Sequence, residues 1–484
     1  MKLLPFDFDR IKDGSVLLVN ISGETIYLNN KEFEILCNED FEWLDDNLKN
    51  ELLAKHFIIN DDMENFTIEL LANKLRTRKD YLNGFTSLHM IVLTLRCNCM
   101  CSYCHASSKV GVGCSDYDMD ELTARNTVNM IFQSPSPIIK IEFQGGEPTL
   151  NFEILKFIVL YAEELNKTYK KDLSFVVCTN LLELPLEKLT FLYEHMVDIS
   201  TSCDGNKVLN DYCRKSLVSP SAYDTFYNNL LVCRKLYKIN KPSALLTVTR
   251  NNLHCLKDVI NHYMKLGFDN MFIRALNPYG YAVINERSLS YSVEEFVEAY
   301  KDALNYIIEI NLEGHFFVEA YSTILLQRIL SPFSTGFVDL QSPCGAGILG
   351  AIYYYNGNVY PADEGRMLAA EGDEYFLMGN VNRDSYEKIF DGKIIHNIVK
   401  NSCVECLPGC DTCAYKNYCG SDPIRYYVEC KDIVGKRYNS EFCKKNKAII
   451  KELLRYIKEG DPKILHVFWS WINRKPLEAN DDNE

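Results

Sequence analysis

The sequence predicts an α/β fold: a TIM-like partial barrel of six β/α units between a small N-terminal α+β module and a C-terminal cysteine-rich domain. Strand-like apolar runs alternate with amphipathic stretches over residues 86–313, and cysteines concentrate in two short segments. A chain of 484 residues also exceeds what one hydrophobic core usually organises. We therefore expect domains at 1–85, 86–313 and 341–450, a bridging region at 314–340, and a C-terminal helix with an acidic tail at 451–484.

The N-terminal module begins with two β-patterned runs, at 15–20 and 25–29, which are separated by a turn containing Ser22 and Gly23. Helical patterns follow at 33–37 and 43–57. This order of elements predicts a hairpin followed by helices, in a module separate from the barrel.

Six β/α units in series predict a parallel sheet with its active site at the carboxyl ends of the strands. A further helix is predicted at 293–309, where Ser292 and Glu295 have capping-box spacing. The strands are predicted at 90–95, 139–143, 174–178, 198–202, 244–249 and 270–275. The helices between them are predicted at 119–132, 152–169, 186–195, 222–236 and 253–266.

Composition argues against several classes of function. The formal net charge of -14 is spread along the chain, so we expect no nucleic-acid partner. No apolar run approaches the ~20 residues that span a bilayer, and the first residues do not form a signal-peptide core, so we expect a cytoplasmic protein without membrane contact. In a reducing compartment, clustered members of the 19 cysteines are expected to be metal ligands or catalysts.

Cys97, Cys101 and Cys104 follow the first predicted strand with the spacing C-x-x-x-C-x-x-C. Three thiolates on one loop can hold three irons of a [4Fe-4S] cubane and leave the fourth iron open. S-adenosylmethionine (SAM) can chelate that iron, and an electron from the cluster then cleaves the sulfonium and releases a 5′-deoxyadenosyl radical. The alternative is a zinc site, for which Cys99 offers a fourth thiolate. Tyr103 either packs against the adenine or shields the cluster.

This loop resembles that of the radical SAM superfamily, which implies a radical SAM barrel. After the second strand, the run Gln144-Gly145-Gly146-Glu147-Pro148 looks like the GGEP motif of that superfamily. Paired glycines let the main chain approach a ligand, and the Glu147 carboxylate can receive the SAM ammonium group.

The next two strand ends extend the resemblance. Thr179 and Asn180 are similar to a Thr-Asn-Gly motif, although Leu181 replaces the glycine. The serine of a Ser-x-Asp-Gly motif, Ser202, is implied to contact the SAM ribose. Arg214 stands where peptide-modifying relatives place an arginine for the SAM carboxylate, a task that suits a guanidinium. The implied SAM-binding set is Tyr103, Gln144, Gly145, Gly146, Glu147, Thr179, Asn180, Ser202, Asp204 and Arg214.

Residues 344–443 resemble a SPASM domain, the extension that carries auxiliary iron–sulfur clusters in radical SAM enzymes acting on peptides. Two cysteines that normally serve an inner cluster are replaced, at Ala362-Asp363 and at Ser421-Asp422, so that cluster is missing, partly ligated or rebuilt. Asp363 or Asp422 could supply a carboxylate. Zinc binding is the alternative for the whole region. The resemblance implies that an outer auxiliary [4Fe-4S] cluster is bound by Cys410, Cys413, Cys419 and Cys443. The candidate cysteines for the inner cluster are Cys344, Cys403, Cys406 and Cys430.

Further segments, up to about residue 450, look like the HxsB family of His-Xaa-Ser system radical SAM maturases. Members are associated with a partner radical SAM protein and with a small ribosomal precursor peptide bearing His-Xaa-Ser repeats. The N-terminal module then either captures the leader of that precursor as an added edge strand or only caps the barrel. The matching segments are Arg76-Thr-Arg78, Gly84-Phe-Thr-Ser-Leu-His89, Ser134-Pro-Ser-Pro137, Tyr360-Pro-Ala-Asp-Glu-Gly-Arg-Met367 and Tyr418-Cys-Gly-Ser-Asp-Pro423.

The implied reaction abstracts hydrogen from a peptide carbon, with an electron donor such as flavodoxin or ferredoxin. Crosslinking of the peptide is the favoured outcome, and oxidation of a Ser or Cys to formylglycine, as in sulfatase-maturing relatives, is the enzymatic alternative. A zinc-stabilised peptide-binding scaffold without catalysis is the alternative from another class. The expected cofactors are SAM, one SAM-cleaving [4Fe-4S] cluster and one or two auxiliary [4Fe-4S] clusters that relay electrons or ligate the substrate.

Overall fold

The structure is a computed structural model that describes residues 1–106, 108–110, 115–238 and 242–477. The predicted acidic tail falls at 478–484, outside the described residues. Ahead of it, the chain forms two helices, Glu441–Glu459 and Pro462–Asn473.

The predicted series of six β/α units is confirmed. Each of the six strands pairs in parallel with the next one along the chain. The strands are β1 (Leu88–Thr94), β2 (Ile138–Gly145), β3 (Asp172–Cys178), β4 (Val197–Ser202), β5 (Ser243–Thr247) and β6 (Asn270–Arg274). The principal helices are α1 (Glu121–Ile131), α2 (Phe152–Tyr169), α3 (Leu186–Glu194), α4 (Ala222–Leu236), α5 (Leu256–Lys265) and α6 (Val293–Leu312).

Burial and capping explain these elements. In β1, Ile91, Val92 and Leu93 are fully buried, as is typical of a parallel strand with both faces covered. The predicted capping box at α6 is confirmed, because the Ser292 hydroxyl accepts from the Glu295 N–H at 3.1 Å and the Glu295 carboxylate accepts from the Ser292 N–H at 2.7 Å. Since parallel strands end at one edge, the segments that follow β1, β2, β3 and β4 come together there.

The sheet also extends in a way that the sequence did not predict. Val318–Glu319 (β7) pairs in parallel with β6 at one end. At the other end, Gly350–Tyr353 (β8) pairs in parallel with β1, and Asn358–Tyr360 (β9) follows antiparallel to it. Helix α7 (Asp363–Ala370) leads from β9 towards the last strand, Gly379–Asn380 (β10). All four residues of β8 are buried, so this pairing covers the backbone edge of β1.

The chain divides into two compact units. The first contains Met1–Asn83, Ile324–Gly345 and Ile398–Leu465, and the second contains Gly84–Thr323, Ala346–Asn397 and the segment that starts at His466. This division groups the N-terminal module with all eight cysteines of residues 344–443. The domain bounds predicted from the sequence remain a proposal.

In the first unit, the predicted hairpin is confirmed and has an additional strand. Phe6–Arg10, Val16–Asn20 and Thr25–Leu28 form a three-stranded antiparallel sheet. Three helices follow, at Asn30–Cys37, Asp46–Ala54 and Glu64–Arg78.

Within this unit, the N-terminal sheet contacts the cysteine-rich segment. The Tyr415 hydroxyl donates to Asp9 at 2.7 Å, and the Tyr418 hydroxyl donates to the Gly23 carbonyl at 2.7 Å. The sheet and the chain between Cys413 and Cys419 therefore support each other. Among the described helices, none combines the length and apolar character needed to cross a bilayer.

Candidate cluster and cofactor site

The predicted cluster cysteines lie on the loop that follows β1. Within it, Cys99–Cys101 is a short strand that pairs antiparallel with Arg214–Ser216, and the register places Arg214 opposite Cys101. The Cys104 N–H donates to the Cys101 carbonyl at 3.1 Å. This pairing brings an arginine that is distant in sequence to the cysteine loop.

The three thiols share one environment. Burial raises the pKa of Cys97, and Cys101, Glu147 and Cys104 add to the rise. A contact of 3.6 Å between the Sγ atoms of Cys99 and Cys101 is the main cause of the raised pKa of Cys101. A metal that binds these residues has to displace thiol protons. Within the described residues, no three His, Cys, Asp or Glu side chains are arranged to hold a metal ion. The cluster-ligand assignments remain predictions.

The two glycines of the GGEP motif make room for the main chain of the protein itself. The Gly146 N–H donates to the Thr94 carbonyl and the Glu147 N–H to the Arg96 carbonyl, each at 2.8 Å. A Cβ atom on Gly145 would lie 2.3 Å from the Thr94 oxygen, and one on Gly146 would lie 2.2 Å from the Arg96 oxygen. The close approach that the sequence attributed to a ligand is thus made by the chain that enters the cysteine loop.

Gly146→Ala is expected to destabilise the fold by about 2–4 kcal/mol, because the added methyl group meets rigid backbone atoms. Its Cβ would lie 2.2 Å from the Arg96 oxygen and 2.5 Å from the Leu95 oxygen. Gly84→Ala is the matched control, since nothing lies within 4 Å of a Cβ at that position. Chemical denaturation of both variants measures the difference, and equal stabilities would contradict the close approach.

Glu147 joins the ends of β2 and β3. Its Oε1 accepts from the hydroxyls of Thr149 at 2.7 Å and Thr179 at 2.8 Å, and its Oε2 accepts from the Asn180 N–H at 2.8 Å. Burial raises the pKa of this carboxyl group, whereas the hydrogen bonds lower it. The bonds fix the carboxylate in place. The contact of Thr149 with Glu147 was not predicted from the sequence. Its position two residues after Glu147, at the start of a helix, could have indicated it, because N-cap side chains accept hydrogen bonds there.

Leu181 keeps the backbone conformation of the glycine that stands in the Thr-Asn-Gly motif. Its φ is 59°, in the left-handed region that glycine favours, and its side chain is fully buried. The preceding residue, Asn180, donates through Nδ2 to Asn98 Oδ1 at 2.8 Å. The departure in sequence is therefore not a departure in backbone path, and the β3 end still contacts the cysteine loop.

The end of β4 supplies a buried carboxylate that holds two other predicted residues. Asp204 Oδ2 accepts from the Tyr103 hydroxyl at 2.5 Å and from Arg214 Nε at 3.0 Å. The Arg214 guanidinium carbon lies 5.5 Å from the Tyr103 ring centroid. Asp204 Oδ1 is buried with no hydrogen-bond partner among the described residues. Tyr103, expected at the adenine or over the cluster, thus forms part of the support of Arg214.

Ser202 and Gln144, also predicted to bind SAM, differ in their hydrogen bonding. Ser202 is half-buried, and its hydroxyl makes no hydrogen bond within the described parts of the chain, so it is available to a ligand. Gln144 instead donates through Nε2 to Glu142 Oε1 at 2.7 Å, which turns its amide towards the protein.

The four cysteines predicted for the outer auxiliary cluster belong to the first unit and influence one another electrostatically. Burial raises the pKa of Cys419 to about 12, and Cys443, Cys413 and Cys410 add to the rise. Arg437 is beside them and lowers the pKa of Cys410, which burial raises. Its Nε and Nη1 are buried and have no hydrogen-bond partner among the described residues. A buried guanidinium without an anion is costly, so cysteine thiolates holding a cluster fit this site.

The residues predicted for an inner auxiliary cluster have diverse surroundings. Cys344 is buried. Burial and a neighbouring carboxylate raise the pKa of Asp422 to about 7. Cys403 and the exposed Cys406 are close enough that Cys406 contributes, after burial, to the raised pKa of Cys403. Cys430 is exposed, and its Sγ donates to a backbone carbonyl at 3.2 Å.

Asp363, the other carboxylate suggested for that cluster, forms an ion pair within its own unit. It begins α7 in the second unit, whereas the cysteines above belong to the first. Its Oδ1 accepts from Arg366 Nε at 2.6 Å. Its charged partner among the described residues is Arg366, and its assignment as a cluster ligand stays a prediction.

With this geometry established, comparison with known proteins identifies the fold. No protein-family model matches the chain. The structure of anSMEcpe with bound AdoMet, which is SAM, is similar with a TM-score of 0.63 at 19% identity, over 77% of this chain and 98% of that one. Streptococcus suis SuiB bound to its precursor peptide SuiA is similar with a TM-score of 0.51 at 14% identity, over 91% of this chain and 100% of that one. The predicted fold class is confirmed.

A curated relative gives a similarity in sequence. An uncharacterized protein of Methanocaldococcus jannaschii is 30% identical over 196 residues, which are 39% of this chain. The match spans 63% of the length of that protein.

Proposed function

We propose that this protein is a radical SAM enzyme that modifies a ribosomally made peptide. The observation that carries the proposal is that four predicted SAM-site residues all contact one cysteine loop. Glu147 bonds to Arg96, Asn180 to Asn98 and Asp204 to Tyr103, and Arg214 pairs with Cys101. These residues follow the successive strands β2, β3 and β4, as a single cofactor site on a partial barrel requires. The fold shared with SAM-bound anSMEcpe supports the same function.

In this proposal, Cys97, Cys101 and Cys104 hold the SAM-cleaving [4Fe-4S] cluster. The cluster, when bound and reduced, supplies the electron that cleaves SAM. Glu147 is fixed by four internal hydrogen bonds and accepts the SAM ammonium group at Oε2, which has one internal partner. Arg214, held from one side through Nε, presents the rest of its guanidinium to the SAM carboxylate.

We further propose that the substrate is a precursor peptide, as in the complex of SuiB with SuiA. The resemblance to HxsB favours a small precursor with His-Xaa-Ser repeats and a crosslinked product. Phe6–Arg10 and Thr25–Leu28 are the two edge strands of the N-terminal sheet, where a leader strand would be added. A flavodoxin or ferredoxin would supply electrons, and a second radical SAM maturase is a candidate partner.

Asp204→Asn is expected to raise the SAM concentration for half-maximal cleavage about tenfold, because the neutral amide no longer fixes the charge of Arg214. Asp198→Asn, in strand β4 just before Asp204 but half-buried, is the matched control. The measurement is 5′-deoxyadenosine formation against SAM concentration for both variants. Indistinguishable curves for Asp204→Asn and the native protein would show that Asp204 does not support SAM binding.

Mass spectrometry of a co-expressed precursor tests the proposed function. A synthetic gene for a peptide with His-Xaa-Ser repeats is expressed anaerobically with the native protein or with Cys101→Ala. We expect the native protein alone to change the peptide mass. Loss of two hydrogens with fragment ions that show two residues joined would identify a crosslink, whereas the same loss confined to one serine would identify formylglycine. An unchanged peptide, in a sample where SAM is cleaved, would contradict the assignment of this substrate while leaving the cofactor chemistry standing.

A further inference from the structure

Polar side chains from three parts of the second unit meet just after Cys104. His105 follows that cysteine directly, Asp363 and Arg366 come from α7, and Arg274 ends β6. Arg274, Asp363 and Arg366 all influence His105 electrostatically. Apart from Asp363 as a suggested cluster ligand, no role is predicted for these residues from the sequence.

Asp363 is held at one oxygen and open at the other. Its Oδ1 accepts from Arg366 Nε at 2.6 Å, and Arg366 Nη1 donates to the Ala106 carbonyl at 3.1 Å. Arg366 is 2% exposed, so it is a fixed support for the carboxylate. In the part of the chain that the structure describes, no hydrogen bond engages Asp363 Oδ2.

The open oxygen faces the imidazole of His105 across a gap. His105 Nε2 and Asp363 Oδ2 are 4.0 Å apart, and the two side chains are 23% and 19% exposed. This distance is too long for a hydrogen bond, but one polar atom placed to the side of the line between them can lie about 2.8 Å from both. A hydroxyl fits, because it donates to the carboxylate and still has lone pairs for an imidazole N–H.

The residues beside this gap contact the loop that carries Cys104. The Tyr281 N–H donates to the Cys104 carbonyl at 2.8 Å, and a Cβ atom on Gly280 would lie 2.8 Å from the same oxygen. Arg366 holds the next part of the loop through Ala106. A group bound between Asp363 and His105 is therefore held next to the predicted cluster site, where hydrogen abstraction requires the substrate to be.

We propose that Asp363 and His105 bind a hydroxyl-bearing side chain of the peptide substrate, a serine or threonine, between Oδ2 and Nε2. This inference rests on the proposed function and adds a specificity site to it. Asp363 and His105 contact the substrate, and Arg366 is a positioning residue that orients the carboxylate.

The site is tested by comparing the binding of two peptides to the native protein and to a variant. The probes are a synthetic peptide with His-Xaa-Ser repeats and the same peptide with every Ser changed to Ala, measured by fluorescence anisotropy on the cluster-loaded protein with SAM. The native protein is expected to prefer the serine peptide about tenfold, and Asp363→Asn to reduce that preference to about twofold or less. Asp391→Asn is the control, because Asp391 forms an exposed pair with His396 at 2.8 Å in the same unit.

The outcomes separate this site from the proposed function. Equal binding of the two peptides by the native protein would overturn the proposed site. A serine preference that survives Asp363→Asn would also overturn it, and this is the result expected if only water fills the gap. Loss of iron in Asp363→Asn would show that the carboxylate serves a cluster, which would also overturn it. Absence of SAM cleavage by the native protein would instead refute the proposed function. If Asp363→Asn does not fold, Asp363→Glu keeps the charge beside Arg366 and should still lose the serine preference.

Discussion

Cys101→Ala is expected to abolish SAM cleavage, with 5′-deoxyadenosine formation falling at least roughly 1,000-fold. Two remaining thiolates on this loop cannot hold the three irons that a SAM-binding cubane presents to protein ligands. The measurement is chromatography of 5′-deoxyadenosine after incubation with SAM and a reductant, together with an iron assay on the same anaerobic protein. Iron is expected to fall by about four atoms per chain, which is one cubane.

Cys99→Ala is the control that distinguishes an iron–sulfur cluster from zinc. Cys99 is 2% exposed, and its Sγ lies 3.6 Å from that of Cys101, so it is the thiol best placed to be a fourth zinc ligand. In a cubane with SAM on the fourth iron, Cys99 is not a ligand, and the variant should keep most of its iron and its SAM cleavage. Equal loss of metal from Cys99→Ala and Cys101→Ala would contradict the three-cysteine cluster.

Cys413→Ala is expected to lower formation of modified peptide at least roughly 100-fold while SAM cleavage continues in part. Cys413 influences both Cys419 and Cys443, so its loss removes one member of the group predicted to hold the outer auxiliary cluster. That cluster would accept or relay an electron after SAM cleavage rather than take part in it. Product and 5′-deoxyadenosine are therefore to be quantified in the same reaction.

Cys37→Ala is the control within the same unit. Cys37 is exposed and is not predicted to bind a cluster, so its removal should leave turnover unchanged. Full peptide turnover by Cys413→Ala would show that the auxiliary cluster has no part in the reaction.

The strands of the barrel could be predicted because each is a short apolar run between amphipathic helices. Residues 90–95 were expected as the first strand, and the structure has Leu88–Thr94. The pairing of β8 with β1 could not be predicted, since the two strands are far apart in sequence and no hairpin turn connects them directly. Only tertiary packing determines such a pairing.

In the candidate site too, local motifs could be predicted and contacts between distant residues could not. Cys97, Cys101, Cys104 and Glu147 were predictable because their motifs are local in sequence. The bond from Tyr103 to Asp204, the buried Arg437 and the gap between His105 and Asp363 depend on residues that only the fold brings together. The sequence resemblance suggested metal binding for Asp363, because this residue stands where relatives have a cluster ligand. The bond from Arg366 to Asp363 became apparent only in the structure.

Anaerobic analysis of the native protein tests the central claim most directly. After reconstitution with iron and sulfide, the protein is incubated with SAM and a reductant, and bound metal and 5′-deoxyadenosine are measured in the same sample. A SAM-cleaving enzyme with auxiliary clusters is predicted to bind about eight or more iron atoms per chain and to form 5′-deoxyadenosine. Bound zinc with no SAM cleavage would contradict the account and favour a peptide-binding scaffold.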